Sequence, residues 1–436
     1  MAGLRTAVTR YCYEGIAERS WPQCGPFGGS NPQIFSHGEL QYCLIKSAVQ
    51  SRAVMLVGAR WLSQWRIPRA AERKGRTQPM AKRVLNCVDL FAGAGGFSLA
   101  AREAGLRVEA AVEFNKKACL TYRGNLVRSN GTKLYESDIL MLEPSSLTAD
   151  HFSDGKECDI VLGGPPCQGF SVHRINGAGV NDPRNKLIHR YFDFVNELCP
   201  KVFLMENVPG ILWERHEQFL KEFYKMGAGA GYDVYEPVVL DARDYGIPQR
   251  RKRVFILGIR GDIEFDITWP PPQTHGSPKA VVDDPLLQPW VTAATVFNQP
   301  LDSADPNNAH MQHSDEIIEV FKSTPPNGGS RADSKRVLKC HDGHNGHKDV
   351  YGRINPKEPG PTMTTACINP SKGRFVHPTK HHGITVRHAA RFQTFPENFV
   401  FEGGLIAAGE QIGNAVPVQL GKVLLNTIRR ALNTII

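Results

Sequence analysis

From residue 84 onward, short apolar runs alternate with stretches whose apolar positions recur every three or four residues. The short runs read as buried strands and the longer stretches as helices with one face turned to a core. The expected strands are VLNCVDLF (84–91), RVEAAVEF (107–114), a segment ending at Asp138, CDIVLGG (158–164), KVFLMEN (201–207), YDVYEPVVL (232–240) and RVFILGI (253–259). Between them FSLAAREAG (97–105) and NKLIHRYFDFVNELC (185–199) read as helices. Strand and helix in alternation mark βαβ units on a parallel sheet, so residues 84–260 predict a doubly wound α/β domain. The pattern breaks near residue 260. Residues 261–383 are rich in Pro, Gly, Asn and His, and their periodicity is weak. A structureless loop of that length is uncommon, so a second, smaller, loop-rich domain is expected there. Helical spacing returns in 384–436, in TVRHAARFQTF (385–395) and PVQLGKVLLNTIRRAL (417–432).

Residues 1–80 have no clean period and read as a poorly ordered extension. The chain then restarts with Met80-Ala-Lys-Arg and a strand, as a compact domain's own beginning would look. A genuine extension and a mis-assigned start codon both fit. Charge sharpens this division. The chain carries 52 Lys+Arg against 43 Asp+Glu, and residues 1–83 alone hold 13 against 4. The whole excess of +9 therefore precedes the α/β pattern. A basic balance suggests nucleic acid, but only its location gives it meaning. Apolar residues make up 41%, enough to bury a core, yet no run of about 18 exists and no secretory leader opens the chain. Membrane spans and secretion are set aside. Ten cysteines without CxxC spacing read as reduced thiols in a bacterial cytoplasm, not as a disulfide framework or a zinc cage.

Four segments carry candidate chemistry. Asp89-Leu-Phe-Ala-Gly-Ala-Gly-Gly-Phe-Ser98 runs from a strand through a Gly-rich turn into a helix, where backbone can approach a ligand closely. Ser98 replaces the third glycine of GxGxxG. Glu113 follows Gly93 by 20 residues, the distance at which an acid can bind ribose hydroxyls, and Asp138 could accept from an adenine amino group. No phosphate-binding lysine follows the glycines. Gly163-Gly-Pro-Pro-Cys-Gln-Gly-Phe-Ser171 places Cys167 at a strand's carboxyl end, stiffened by two prolines and poised as a nucleophile. Glu206-Asn-Val-Pro-Gly210 brings a carboxyl group out of a buried strand, where its pKa rises and it can donate a proton. In Gln249-Arg-Arg-Lys-Arg-Val254, strand alternation sends Arg251 and Arg253 to one side, so one pair can face a reacting group.

These segments, in this order, resemble the DNA (cytosine-5) methyltransferase family of bacterial restriction–modification systems. DLFAGAGGFS is similar to its S-adenosylmethionine turn, GGPPCQGFS to its nucleophile loop, ENVPG to its glutamate motif and QRRKRV to its arginine motif. TVRHAARFQTFP (385–396) and QIGNAVPVQLG (411–421) resemble its two C-terminal motifs. The resemblance covers 84–436 and leaves out 1–80. It implies a Rossmann-like S-adenosylmethionine-dependent domain, with a target-recognition domain at 261–383. Cys167 would attack C6 of cytosine, Glu206 would protonate N3, and Arg253, with Arg251 in support, would hold the base carbonyl. The cofactor would meet Phe91, Gly93, Gly95, Gly96, Glu113, Asp138, Pro166, Leu187 and Asn414. Phe114 stands where the family commonly has a larger aromatic residue. Asn414 implies that the C-terminal helix packs beside the first motif.

The target base must leave the duplex, and the glycines of 168–182 suit a closing lid. Residues 331–391 carry a net +8, so Arg331, Lys335, Arg336, Lys339, Arg353, Lys372, Arg374 and Lys380 are expected to touch DNA. Cys340-His-Asp-Gly-His-Asn-Gly-His347 reads as polar loop beside DNA rather than a zinc site, and no metal is expected. The partners implied are double-stranded DNA, met by a monomer, and functionally a cognate restriction endonuclease. RNA methylation, a catalytically silent DNA-binding protein and a nucleotide-dependent oxidoreductase are the rival readings. The last leaves PPCQGFS and ENVPG unexplained.

Overall fold

The computed structural model describes residues 83–127, 131–166, 186–334 and 349–435. All of them fall in one compact unit, Pro79–Ile436. The expected extension at 1–80, Cys167, the lid at 168–182 and the cluster at 340–347 lie outside the described residues.

The strands are β1 (Asn86–Leu90), β2 (Arg107–Glu113), β3 (Lys133–Glu136), β4 (Ile160–Gly163), β5 (Val202–Asn207), β6 (Tyr232–Val234), β7 (Val238–Asp241) and β8 (Lys252–Arg260). They pair in the order β3-β2-β1-β4-β5-β8-β6, with β7 also on β8. Strands β1 to β5 are mutually parallel. Strand β8 runs antiparallel to β5, β6 and β7, so the sheet is mixed rather than wholly parallel. Pro237 explains why the run 232–240 forms two short strands: it has no N–H to give a ladder. Chain order reverses at β1, which lies between β2 and β4. That switch point opens a crevice at the carboxyl ends of the strands, where ligands of such sheets sit.

Alternation along each strand divides the core into two layers. Cys87, Ile160, Leu162, Leu204, Phe255 and Leu257 face one side, where α1 (Gly96–Glu103) and the last helix pack. Val88, Leu90, Val161, Phe203, Met205 and Ile256 face the other, beneath α3 (Pro144–His151), α4 (Lys186–Leu198) and α5 (Glu217–Gly229), while Tyr122 of α2 (Lys116–Tyr122) joins the first layer beside α1. In α4 the buried Ile188, Tyr191, Phe192, Val195 and Leu198 form the single apolar stripe that its spacing predicts.

The described residues of 261–383 hold short elements, among them β9 (His275–Gly276), β10 (Gln288–Pro289), α6 (Pro278–Asp283), α7 (Ala294–Phe297) and α8 (Asp315–Ser323). Val320, Phe321, Tyr351 and Val376 make a small cluster of their own. Ile354, Met363, Cys367 and Phe375 instead join the main core. With little sheet to satisfy the backbone, arginines serve. Arg353 is fully buried and donates to the carbonyls of Phe321 (2.5 Å), Thr324 (3.0 Å), His377 (2.8 Å) and Lys380 (2.6 Å). Arg374 donates to Gly328 O (2.8 Å), Arg353 O (3.0 Å) and Asp349 Oδ1 (2.9 Å). The expectation that these two arginines touch DNA is therefore corrected: their donors hold the loops together. Lys372 and Lys380 are exposed, while Lys335, Arg336 and Lys339 lie outside the described residues.

The chain closes with α9 (Val386–Phe392), α10 (Leu405–Asn414) and α11 (Val418–Leu432). Helix α11 lies on α1, and Gly421 permits the approach: a Cβ there would come within 2.8 Å of Ala100 Cβ. No described helix is long and apolar enough to cross a membrane.

Candidate active site

Five candidate positions converge on the carboxyl edge of the sheet around the switch point. The Gly-rich turn leaves β1, Glu113 ends β2, Gly164 to Pro166 follow β4, Glu206 sits near the end of β5, and Arg253 begins β8. Arg253 reaches this edge because β8 is antiparallel, which brings its start level with the end of β5: Asn207 pairs with Val254.

The turn adopts left-handed backbone at Phe91 (φ 60°), Gly93 (φ 57°) and Gly95 (φ 94°). Gly95 has no room for a side chain, since a Cβ would lie 2.2 Å from Leu126 Cδ1. Gly93 has the opposite surroundings, with no atom of the described residues within 4 Å of that point. Its N–H donates to Glu113 Oε2 (2.8 Å), while Glu113 Oε1 accepts from Phe114 N (3.0 Å) and Asn115 N (2.7 Å). Three of about four acceptor sites on that carboxylate are used, which leaves capacity for one more donor. Burial raises the Glu113 pKa against these three N–H donors. Phe114, 67% exposed, and the exposed Asp138 flank the open space, with Asp138 Oδ1 also accepting from Leu140 N at 3.0 Å. Pro166 is exposed, and Leu187 is half-buried in the first turn of α4.

Sequence reasoning missed the underside of the turn. Asp89, buried in β1, accepts from Ser98 Oγ (2.6 Å), which in turn accepts from Tyr122 Oη (2.7 Å). Helix α1 has Gly95 as its N-cap, without a capping side chain, and Asp89 provides a carboxylate to its first turn instead. Burial pushes the Asp89 pKa up to about 7. The serine that breaks GxGxxG was the available signal.

On the reaction side, Arg253 Nε lies 2.8 Å from Glu206 Oε1, with both side chains nearly buried. The two groups form a close ion pair, with the Arg253 guanidinium against the Glu206 carboxylate. Burial raises the Glu206 pKa, opposed by Arg253 and then Arg251. A Cβ on Gly164 would lie 3.4 Å from Glu206 Oε2, so the glutamate lies against the loop that carries Cys167. The next residue, Asn207, donates from Nδ2 to Pro165 O (3.4 Å) and accepts Val208 N (2.8 Å), which links the two motifs.

Arg251 does not share the setting of Arg253. It is fully buried and donates to Met363 O (2.8 Å), Gly413 O (2.7 Å) and Ala415 O (2.9 Å). Asn414, exposed at the end of α10, thus stands between two carbonyls held by one guanidinium. The peptide beyond them meets the turn, since a Cβ on Gly96 would lie 2.8 Å from Val416 O. The first and last motifs are in contact, as the resemblance implied.

Against known proteins, the family described as C-5 cytosine-specific DNA methylase matches residues 85–430. The chain belongs to that family. This DNA cytosine-5 methyltransferase, an S-adenosylmethionine-dependent enzyme, is 33% identical over 345 residues to the type II methyltransferase M1.HphI of Haemophilus parahaemolyticus. That alignment covers 79% of this chain and 86% of the relative. It is 30% identical to M.NgoPII of Neisseria gonorrhoeae, over 82% of this chain and 98% of the relative. Among solved structures, a prophage-encoded DNA modification methyltransferase from E. coli superposes with a TM-score of 0.61 at 26% identity, covering 80% and 99% of the two chains. The Entamoeba histolytica methyltransferase EhMeth superposes at 0.54 and 15% identity, a likeness of fold alone, over 80% and 99%.

The turn suits the cofactor: open space above Gly93, an acid with an unused acceptor site, and an exposed aromatic ring beside it. The five described cysteines are all free, and no group of three metal-binding side chains occurs among the described residues.

Proposed function

We propose that this methyltransferase modifies cytosine at C5 within a specific sequence of double-stranded DNA, through a covalent Cys167–C6 adduct on a flipped-out base. The juxtaposition of Glu206, Arg253 and the Gly164 loop at one sheet edge carries the reading. Cytosine C5 is a poor nucleophile. Addition of the Cys167 thiolate to C6 forms the S–C6 bond and pushes the 5,6 double-bond electrons toward C5, while Glu206 gives a proton to N3. Burial raises the Glu206 pKa and so favours the protonated form, the state able to donate. Arg253 holds the base carbonyl and the charge that develops there.

S-adenosylmethionine supplies the methyl group as an electrophile. Phe91, Gly93, Gly95, Gly96, Glu113, Asp138, Pro166, Leu187 and Asn414 would hold it. A base then removes the C5 proton, the S–C6 bond breaks to restore the thiolate, and N3 returns its proton to the Glu206 carboxylate. Arg251 acts through Met363, Gly413 and Ala415 as a positioning residue, not by touching the base. Flipping the base out of the duplex costs roughly a few kcal/mol. Residues 261–383 read the sequence, and the modification protects DNA from a cognate restriction enzyme.

Bisulfite or nanopore sequencing of DNA from cells expressing the protein tests this, with methylated cytosine expected in one context. Absence of methylated cytosine in every context sinks it. A Cys167→Ser protein that retained full methyl transfer would overturn the adduct.

A further inference from the structure

Gln249, Arg251 and Gln393 are each 0% exposed, and their polar atoms converge. Gln249 Nε2 donates to Gln393 Oε1 (2.8 Å) and Phe392 O (3.0 Å), while its Oε1 accepts from Met363 N (2.6 Å). Gln393 Nε2 donates to Ile412 O (2.6 Å) and Ala415 O (2.9 Å). Arg251 joins the same partners by grasping Met363, Gly413 and Ala415. The hub therefore has three ends. One is Ala415–Val416, pressed on Gly96 of the cofactor turn. A second is Arg253, two residues beyond Arg251 on the strand that faces Glu206. The third is the stretch around Met363, held against α10 at Gly413, where a Cβ would lie 2.2 Å from Thr365 N.

A buried amide bonded at both ends transmits a shift instead of absorbing it, because any movement leaves a buried polar group unpaired. The contacts are close at both glycines, where a Cβ would lie 2.2 Å from Thr365 N at Gly413 and 2.8 Å from Val416 O at Gly96.

We propose that Gln249 and Gln393 are positioning residues that couple occupancy of the cofactor turn to the setting of the Arg253–Glu206 edge and of the Met363 stretch. The coupling rests on the cofactor site proposed above and is reciprocal: what steadies one end tightens the other.

Hydrogen exchange of the full chain, with and without S-adenosylhomocysteine, reads the coupling, with calorimetry reporting binding itself. In the wild type the ligand slows exchange at the turn and also, by about tenfold, at 249–254 and 360–365. Gln393→Met retains binding and slowing at the turn but loses the remote slowing. Gln249→Met loses it at 360–365 alone. Asn307→Leu is the control for general destabilisation: Asn307 is a buried amide whose side chain bonds Phe401 O (3.0 Å) and Phe401 N (2.7 Å) and no member of the hub, and its remote slowing persists. Remote slowing absent from the wild type, or undiminished in both glutamine variants, overturns the coupling. Calorimetry without binding to the wild type overturns the cofactor site, and the coupling with it.

Discussion

Gly96→Ala isolates the contact between the two ends of the chain. Gly96 opens α1 with ordinary helical backbone, so alanine imposes no strain there and gains up to about 1 kcal/mol of helix propensity. Against that gain, the new methyl would meet Val416 O at 2.8 Å and Ala415 Cβ at 3.2 Å, so the 415–416 peptide must retreat by about half an ångström. It is not free to do so, because Ala415 O is held by both Arg251 and Gln393. Overpacking of this kind costs about 1–3 kcal/mol and outweighs the propensity term. The expected net loss is about 1 kcal/mol, seen as a melting point lower by a few degrees and S-adenosylhomocysteine affinity weaker by about fivefold. Two neighbours calibrate the result. Gly93→Ala meets no atom and pays only the left-handed backbone cost of about 1–2 kcal/mol, whereas Gly95→Ala pays that cost and a clash with Leu126 and Tyr122, about 2–5 kcal/mol in all. Melting curves and calorimetry on the three proteins give the ranking. A Gly96→Ala protein with wild-type melting point and affinity would refute the packing of the C-terminal motif on the turn.

Glu206→Gln keeps the shape but cannot give a proton, so tritium transfer to DNA should fall by about 10²–10⁴-fold, with unchanged S-adenosylhomocysteine binding; a loss below tenfold excludes proton donation by this group. Because burial raises the Glu206 pKa, wild-type methyl transfer should decline as pH rises through that elevated value, and a rate that climbs there contradicts the acid role. Stability should fall with acid. His377 and His388 are held neutral by burial, with pKa values lowered to about 3 and about 2, so below their unfolded value near 6.5 the unfolded chain takes up more protons. Asp89, at about 7, works in the opposite direction between its unfolded value of 3.8 and 7, but over a smaller combined shift. Urea midpoints should therefore drop between pH 6.5 and 4; a rise on acidification would show the histidines to be protonated in the native state. Arg353→Met removes the donors to four carbonyls, three of these bonds buried, and should cost about 3 kcal/mol or more, whereas Lys372→Ala and Lys380→Ala should leave the melting point alone and flatten the salt dependence of DNA binding. Equal melting points for all three would contradict the division.

The strands were legible because each is a short apolar run ended by turn residues, and β1, β2, β4, β5 and β8 fall within about two residues of expectation. Strand direction was not. Whether β8 runs with or against β5 depends on where the connection through β6 and β7 returns, and no local residue records that. The charged residues show the same limit. Arg251 just precedes β8 and Arg253 lies two residues on within it, yet one holds three carbonyls and the other faces Glu206, because partners arriving from residues 363, 413 and 415 decide the matter. Likewise the +8 of residues 331–391 includes Arg353, Arg374, Arg387 and Arg391, whose donors are engaged with protein carbonyls or carboxylates. Arginine serves backbone as readily as phosphate when loops lack a ladder. Asp89 and Ser98 were visible as letters, but their bond needed the turn to be folded.

The lie of α11 along α1 has one more consequence. Arg429 rests near Gly105 and Lys422 pairs with Glu103 at 3.1 Å, so the last helix finishes where α1 ends and β2 is about to begin. That is the amino edge of the sheet, opposite the crevice. The described chain is thus nearly a ring, entered and left on the face remote from the reaction. A short flexible tie from residue 435 to residue 83, with new ends cut in an exposed loop, should give a protein that still methylates. Cargo fused at either of those residues would hang away from the DNA.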